Sequence, residues 1–188
     1  MRTDTRRLVF LSMLVAMGTA LHVVEGMLAI PLPVPGVKLG LANMVTVLAV
    51  YLYGLRDGLT VALLRVLLGS LIGGMFLAPG FLMGLAGAVS STLVMALLLK
   101  RTRCFSMIGI SMAGAVGHNL GQLLAACLLL QSSAVLYYLP VLLLAGIPTG
   151  MFTGYLLNSL LEHEAHIFRD FVGASSGRKT TGTASRRL

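Results

Sequence analysis

The sequence predicts an all-α polytopic membrane protein with six transmembrane helices and both chain ends in the cytoplasm. Hydrophobic residues make up 57% of the 188 residues and charged residues only 11%, whereas a soluble domain carries about 25% charged residues. The apolar residues form long unbroken runs, unlike the alternating strands of about 10 residues in an outer-membrane barrel. The basic residues cluster between these runs, which is the pattern that orients a membrane protein.

The apolar runs define six predicted helices, because about 20 helical residues cross the hydrocarbon core of a bilayer. The first run ends at the prolines of the 31–35 segment, which cannot continue a helix. The six runs cover residues 8–30, 38–54, 57–78, 81–99, 106–130 and 136–161, of which the second is short. The chain then turns polar and basic. We therefore predict a six-helix domain over residues 1–162 and a disordered cytoplasmic tail over residues 163–188.

The basic residues predict the orientation of the helices. With the N-terminus in the cytoplasm, twelve of the 14 Lys and Arg residues lie in cytoplasmic segments, whereas the outer loops hold Lys38 and the third run contains Arg65. This asymmetry favours a multi-pass protein of the plasma membrane, with the lipid bilayer as its first partner. It also argues against nucleic-acid binding, because the net charge of +8 is not collected on a polar face with aromatic residues.

Polar and charged residues inside the predicted spans indicate a binding site. A charged side chain at the centre of a span costs about 2.5–3.5 kcal/mol on insertion scales, and such residues usually face the bundle interior or a cavity. Residues of this kind lie at mid-depth or in the outer half of the predicted bundle: Glu25, Asn43, Arg65, His118, Asn119 and Gln122. A shared cavity that opens outward and binds a small molecule explains their common depth.

These residues also have structural alternatives. His118 could be a buried histidine bonded to a backbone carbonyl, and Arg65 could form a structural ion pair with Glu25. Asn119 and Gln122 could link neighbouring helices by hydrogen bonds. Both interpretations stay open at the level of the sequence.

Small residues and one proline shape the last two predicted helices. Gly117 and Gly121, like Gly150 and Gly154, are four residues apart, and such pairs allow helices to approach closely. Pro148 removes one helical hydrogen bond. It either breaks the sixth helix beside a binding site or is accommodated by a neighbouring hydroxyl or water.

The segment from Pro31 to Gly40 predicts an anion-binding loop. Its three prolines favour a stiff, extended chain, and Gly36 and Gly40 allow close approach of the backbone. The second helix begins here, so its unpaired N–H groups and positive dipole end face the loop. Lys38 adds a full positive charge, which completes a cradle for an anion. Alternatively, Lys38 extends to lipid headgroups.

The sequence contains no motif for catalysis. It has no glycine-rich phosphate loop and no Asp-rich motif for a magnesium-bound diphosphate, and the acidic and histidine residues at 162–166 do not form a metal-binding motif. We therefore expect a protein that is not an enzyme, with no cofactor and no metal. Any ATP hydrolysis has to come from a partner.

Several sequence blocks resemble the Gx transporter family, also labelled heptaprenyl diphosphate synthase component I. They include Pro35–Asn43 (PGVKLGLAN), Gly114–Gln122 (GAVGHNLGQ) and Pro148–Gly154 (PTGMFTG), and the similarity spans about residues 8–160. The family is similar to the substrate-binding (S) components of energy-coupling-factor (ECF) transporters. Those have six helices, an outward site capped by the first outer loop, and small residues on the first helix that contact a transmembrane coupling subunit. The resemblance implies that Ala16 and Ala20 form this contact.

Two functions follow from these observations. The first is uptake of a small, anionic molecule by a substrate-binding subunit that a coupling subunit and ATPase subunits energise. In this hypothesis Lys38, with Gly36 and Gly40, binds the anionic group and Arg65 and Glu25 balance charge, while Asn43, His118, Asn119 and Gln122 contact the polar part. The second is a non-catalytic membrane subunit of a prenyl-diphosphate, quinone or redox assembly. An enclosed polar cavity favours the first function, and a solid core with a large exposed apolar groove favours the second.

Overall fold

The computed structural model describes residues 2–27, 40–101 and 105–177, and the side chains of residues 5, 7–27, 40–101 and 105–162. Within these ranges the chain is helical and has no β-strand. The α-helices are α1 (Arg2–Met27), α2 (Leu41–Tyr53), α3 (Leu55–Ile72), α4 (Pro79–Arg101), α5 (Met107–Leu130) and α6 (Leu139–Gly177). A short 3-10 helix, Ser133–Tyr138, precedes α6. The predicted all-α class is confirmed.

Four helical stretches of the described chain are long and apolar enough to cross a bilayer. They are Arg7–Met27, Pro79–Arg101, Met107–Leu130 and Ser133–Glu162. α2 is apolar but has only 13 residues, and α3 carries three charged residues within its 18. Large apolar side chains are exposed along the outside of the bundle, as at Leu128, which is 80% exposed. These features are those of a membrane protein.

α2 lies at the centre of the bundle and contacts each of the other five helices. Seven of its 13 residues are buried, because packing surrounds it on all sides. Val45 packs with Val61 of α3, whereas Val47 packs with Met95 of α4 and Leu157 of α6. This burial stabilises a helix that is too short to be stable by itself.

Glycines bring α4, α5 and α6 into close contact. A Cβ atom at Gly121 would lie 2.7 Å from the backbone oxygen of Ala86, and one at Gly150 would lie 2.5 Å from the Cα atom of Met112. Gly154 approaches the α5 backbone equally closely. The prediction that these small residues pack the helices together is confirmed.

α3 ends earlier than the sequence predicts. The expected span reached residue 78, but the helix stops at Ile72 and the chain turns before Pro79. Gly74 has a φ of 65° and Leu77 a φ of 62°, a left-handed conformation that glycine adopts without strain. The expected boundary was wrong because the connection is itself apolar, so hydropathy does not separate it from the helix.

α6 continues through Pro148. The hydroxyl of Thr149 donates to the carbonyl oxygens of Ala145, at 3.2 Å, and Gly146, at 3.1 Å. The proline is thus accommodated within the helix by its neighbour, as one of the two interpretations expected. The helix also extends beyond residue 162 to Gly177, and the division into a domain and a tail at this position stays a prediction.

An ion pair ties α1 to the junction of α2 and α3. The guanidinium of Arg7 donates to the Asp57 carboxylate at 2.6 Å and lies 5.9 Å from the ring centre of Tyr53. Arg7 is half exposed, so the pair contributes little to stability. The pair lies at the end of the bundle opposite the cavity that is described next.

Candidate ligand-binding site

One small polar cavity, of about 50 Å³, is lined by residues from all six described helices. It lies beside the first turn of α2. The cavity brings together seven of the residues that the sequence predicted as ligand-binding: Glu25, Gly40, Asn43, Arg65, His118, Asn119 and Gln122. The other two, Gly36 and Lys38, lie outside the described residues. We call this space the polar cavity.

Arg65 supplies the positive charge of the polar cavity. Its side chain is only 3% exposed, and its Nε and Nη2 atoms have no hydrogen-bond partner within the described part of the chain. Gly18 of α1 leaves room for it, since a Cβ atom there would lie 3.4 Å from the Arg65 Cδ atom. A buried donor without an acceptor costs about 1–3 kcal/mol, and more when it is charged. The two donors therefore indicate a position for an acceptor, and a guanidinium binds anionic oxygens most strongly.

Glu25 caps the second helix. It is 8% exposed, and its Oε1 atom accepts a hydrogen bond of 2.5 Å from the backbone N–H of Leu41. Gly40, at the N-cap position with a φ of 78°, has no side chain to cap the helix. The carboxylate therefore takes the place that favours negative charge, and it also interacts electrostatically with Arg65.

This contact occupies one of the N–H groups of the predicted anion cradle. The sequence placed the ligand's anionic group against the free N–H groups of the second helix, but the N–H of Leu41 donates to Glu25. Among the described residues that line the cavity, the guanidinium of Arg65 offers buried charged donors. The predicted contribution of Lys38 and Gly36 stays a prediction.

Two asparagines line the cavity and also link helices. The Asn43 Oδ1 atom accepts a hydrogen bond of 3.1 Å from the hydroxyl of Ser91 in α4. The Asn119 Nδ2 atom donates to the carbonyl oxygen of Leu142 in α6, at 2.7 Å. The alternative interpretation of Asn119 as an interhelical link is thus confirmed, and it is compatible with a place in the cavity wall.

Glycines on facing helices make room for the longer polar side chains. A Cβ atom at Gly87 would lie 2.9 Å from His118 Cε1 and 2.8 Å from Gln122 Cγ. In the same way, a Cβ atom at Gly69 would lie 2.5 Å from the ring of His22. The absence of these methyl groups lets the two histidines and the glutamine lie in the cavity wall. Their predicted role in orienting a ligand stays a prediction.

The sequence-based set of site residues omitted His22, Thr149 and Thr153, which also line the polar cavity. Helical spacing could have identified them. His22 is three residues before Glu25, and Thr149 and Thr153 are four residues apart, so the members of each pair share a helix face. The two threonines did not stand out in the sequence, because burying them costs little. Each hydroxyl donates to a carbonyl of its own helix.

A second and larger space, a cleft of about 400 Å³ that is open on one side, adjoins the polar cavity between α1, α3 and α4. Of its lining side chains, Met27 is 79% and Met75 65% exposed. The two spaces share four lining residues: His22, Val66, Gly84 and Gln122. The remaining wall is mainly apolar and includes Met27, Met75, Phe81 and Met83. We call it the apolar chamber. The sequence did not predict it.

Comparison with protein families matches residues 14–160 to the family described as heptaprenyl diphosphate synthase component I. The chain belongs to this family. The family is also called the Gx transporter family, so the resemblance of the blocks around Asn43 and His118 is confirmed. The matched region contains every described residue that lines the polar cavity. The chain matches no curated protein and no solved structure.

Proposed function

We propose that this member of the component I family is the substrate-binding subunit of an uptake system for a small anionic molecule. The observation that carries the proposal is the buried guanidinium of Arg65, whose two unpaired donors lie at a cavity lined by all six described helices. A buried charge inside a membrane bundle is retained where it serves a ligand or an ion path. Because every helix contributes to the cavity, a bound ligand contacts the whole bundle and not one helix pair.

The proposed role is binding and not catalysis. Glu25, the carboxylate of the cavity, caps α2 and balances Arg65. Asn119 and the two threonines have their hydrogen bonds to backbone oxygens. These groups would bind and orient a polar molecule. The energy for uptake would come from a transmembrane coupling subunit with ATPase subunits.

The proposal includes six spans in the plasma membrane with both chain ends in the cytoplasm, since the distribution of basic residues favours that orientation. α2 and α3 would then cross the membrane as packed inner helices. The polar cavity would lie in the outer half of the bundle, near the 28–39 connection that precedes α2.

Cysteine labelling tests this topology. In a Cys104→Ser, Cys127→Ser background, single cysteines in the 31–36 segment are expected to react with a membrane-impermeant maleimide in intact cells. Cysteines at 100–103 are expected to react only after permeabilisation, because that segment is basic and would face the cytoplasm. Reaction at 100–103 in intact cells would contradict the six-span arrangement.

The exposed face of α1 offers the docking site for the coupling subunit. Ala16 and Ala20 are exposed, whereas Gly18 and Thr19 face inward and are buried. Small exposed residues four apart let another transmembrane helix approach closely. The structure of α1 is thus compatible with the docking role that the family resemblance implies.

Ala16→Leu and Ala20→Leu are expected to reduce copurification of a coupling subunit and its ATPases at least several-fold, because the added side chains separate the two helices. Quantitative mass spectrometry of proteins captured from native membranes measures the effect. Met13→Leu is the matched control, because Met13 is exposed on the same helix and this substitution changes the size of the side chain little. If folded Ala16→Leu and Ala20→Leu proteins capture the ATPases as well as the wild type does, this docking face is wrong.

A membrane subunit of a prenyl-diphosphate, quinone or redox assembly is the second candidate. The family's description as a synthase component favours it, and so does a shallow apolar groove on the outer face of α4 from Leu82 to Val94. The same capture experiment separates the two. ATPase subunits together with a retained small molecule support uptake, and a prenyl-chain-forming enzyme without ATPases supports the second candidate.

A further inference from the structure

The polar cavity is too small to enclose an organic ligand. A site needs about 10–15 Å³ of accessible space to hold one water molecule. The 50 Å³ of the polar cavity therefore accommodates a few waters or a single acidic group. A molecule whose acidic group binds Arg65 must extend into a neighbouring space.

The apolar chamber is the neighbouring space that the structure provides. Its volume of about 400 Å³ falls in the range of about 300–1,000 Å³ that is typical of small-molecule sites. Gly84 lies at the border of the two spaces, and a Cβ atom there would meet only Val66 Cγ1, at 4.0 Å. The border is therefore not filled by a side chain at this position.

The walls of the chamber match an apolar group. Three methionines and a phenylalanine line it, together with glycines of α1, α3 and α4. Methionine side chains adapt to irregular apolar shapes, and a space with such walls favours an apolar group over water. Of its three described polar lining residues, His22 and Gln122 belong to the wall that it shares with the polar cavity, and the third is Ser70.

We propose that the ligand is an amphipathic anion, with its acidic group on Arg65 in the polar cavity and its apolar chain or ring in the apolar chamber. This inference rests on the proposed function, because it names the substrate class of the same site. It requires that affinity depends both on the charge and on the length of the apolar part.

A series of simple probes tests both requirements. Acetate, hexanoate, decanoate and 1-decanol are titrated calorimetrically into the full-length protein in phosphatidylcholine nanodiscs, with protein-free nanodiscs as the blank. Between acetate and hexanoate, affinity is expected to rise up to about fourfold per methylene group, the value for full burial of that group. Decanoate is expected to bind at least about tenfold more tightly than 1-decanol, because the alcohol lacks the charge that pairs with Arg65.

Two glycines allow the chamber to be filled without disturbing the fold. Gly26 and Gly80 line it, and a Cβ atom at either position would have no neighbour within 4 Å. Gly26→Leu and Gly80→Leu are therefore expected to fold and to lower decanoate affinity at least about tenfold while acetate affinity is unchanged. Leu82→Phe, on the opposite face of α4 in the outer groove, adds similar bulk and is expected to leave decanoate binding unchanged.

The outcomes separate this inference from the proposed function. Equal decanoate affinity in the wild type and in both leucine variants would show that the apolar part of the ligand does not lie in the apolar chamber. Acetate binding with no gain for longer chains would overturn the amphipathic ligand and leave uptake of a small hydrophilic anion in place. Chain-length-dependent binding without captured ATPases would support the ligand class and contradict uptake.

Discussion

Replacing Arg65 with Met is expected to lower the affinity for decanoate at least about 30-fold. Loss of one partner of a buried, hydrogen-bonded charge pair costs about 2 kcal/mol or more. The effect should exceed that of any other single cavity residue, because Arg65 is the described group with unpaired charged donors in the polar cavity. Calorimetric titration in nanodiscs measures it.

The matched control lies on the same helix. Arg56 is exposed near the start of α3, so Arg56→Met removes an equal charge far from the cavity and is expected to leave binding unchanged. Arg65→Met also leaves the buried Glu25 carboxylate without its opposite charge, which destabilises the bundle. Adding Glu25→Gln should restore thermal stability, since the amide oxygen still accepts from Leu41, but should not restore binding. Full decanoate affinity in the stable double variant would exclude Arg65 as the anion site.

The sequence predicted the cavity better than it predicted individual roles. Buried charged and polar residues in apolar spans are costly, so Glu25, Arg65 and His118 stood out from their neighbours and all lie at the cavity. Thr149 and Thr153 did not stand out, because a threonine that bonds its own helix costs little in an apolar span. Sequence alone thus finds the residues whose burial is expensive and misses those whose burial is cheap.

The apolar chamber could not be predicted, for a related reason. Met27, Met75 and Phe81 line it, yet in the sequence they are indistinguishable from the many apolar residues that face lipid. In a membrane protein both the core and the surface are apolar, so hydropathy carries no information about which face a residue occupies. The end of α3 at Ile72 was missed on the same grounds.

The capping of α2 by Glu25 links the fold to the site. A 13-residue helix whose N-cap is a glycine with a left-handed backbone receives its negative cap from another helix, and the same carboxylate faces Arg65. Glu25 therefore both caps the central helix and balances the charge of Arg65 in the cavity. The sequence indicated the charge balance but not the cap, because the cap depends on where α1 and α2 meet.

Gly150→Leu is expected to have the largest effect on stability. A Cβ atom at this position would lie 2.5 Å from Met112 Cα and 3.0 Å from its backbone nitrogen, and backbone atoms cannot move aside as a flexible side chain does. α5 and α6 would have to separate. Overpacking of this kind costs about 1–3 kcal/mol, which corresponds to a fall in Tm of about 2–12 °C for a chain of this size.

Thermal unfolding of the purified protein in nanodiscs measures this fall, and Met151→Leu is the matched control because Met151 is half exposed on the same helix. Gly150→Leu should also weaken decanoate binding, since α6 contributes Thr149 and Thr153 to the polar cavity and α5 contributes His118. Separation of the two helices would pull these walls apart. An unchanged Tm together with unchanged binding would show that the two helices do not pack through Gly150.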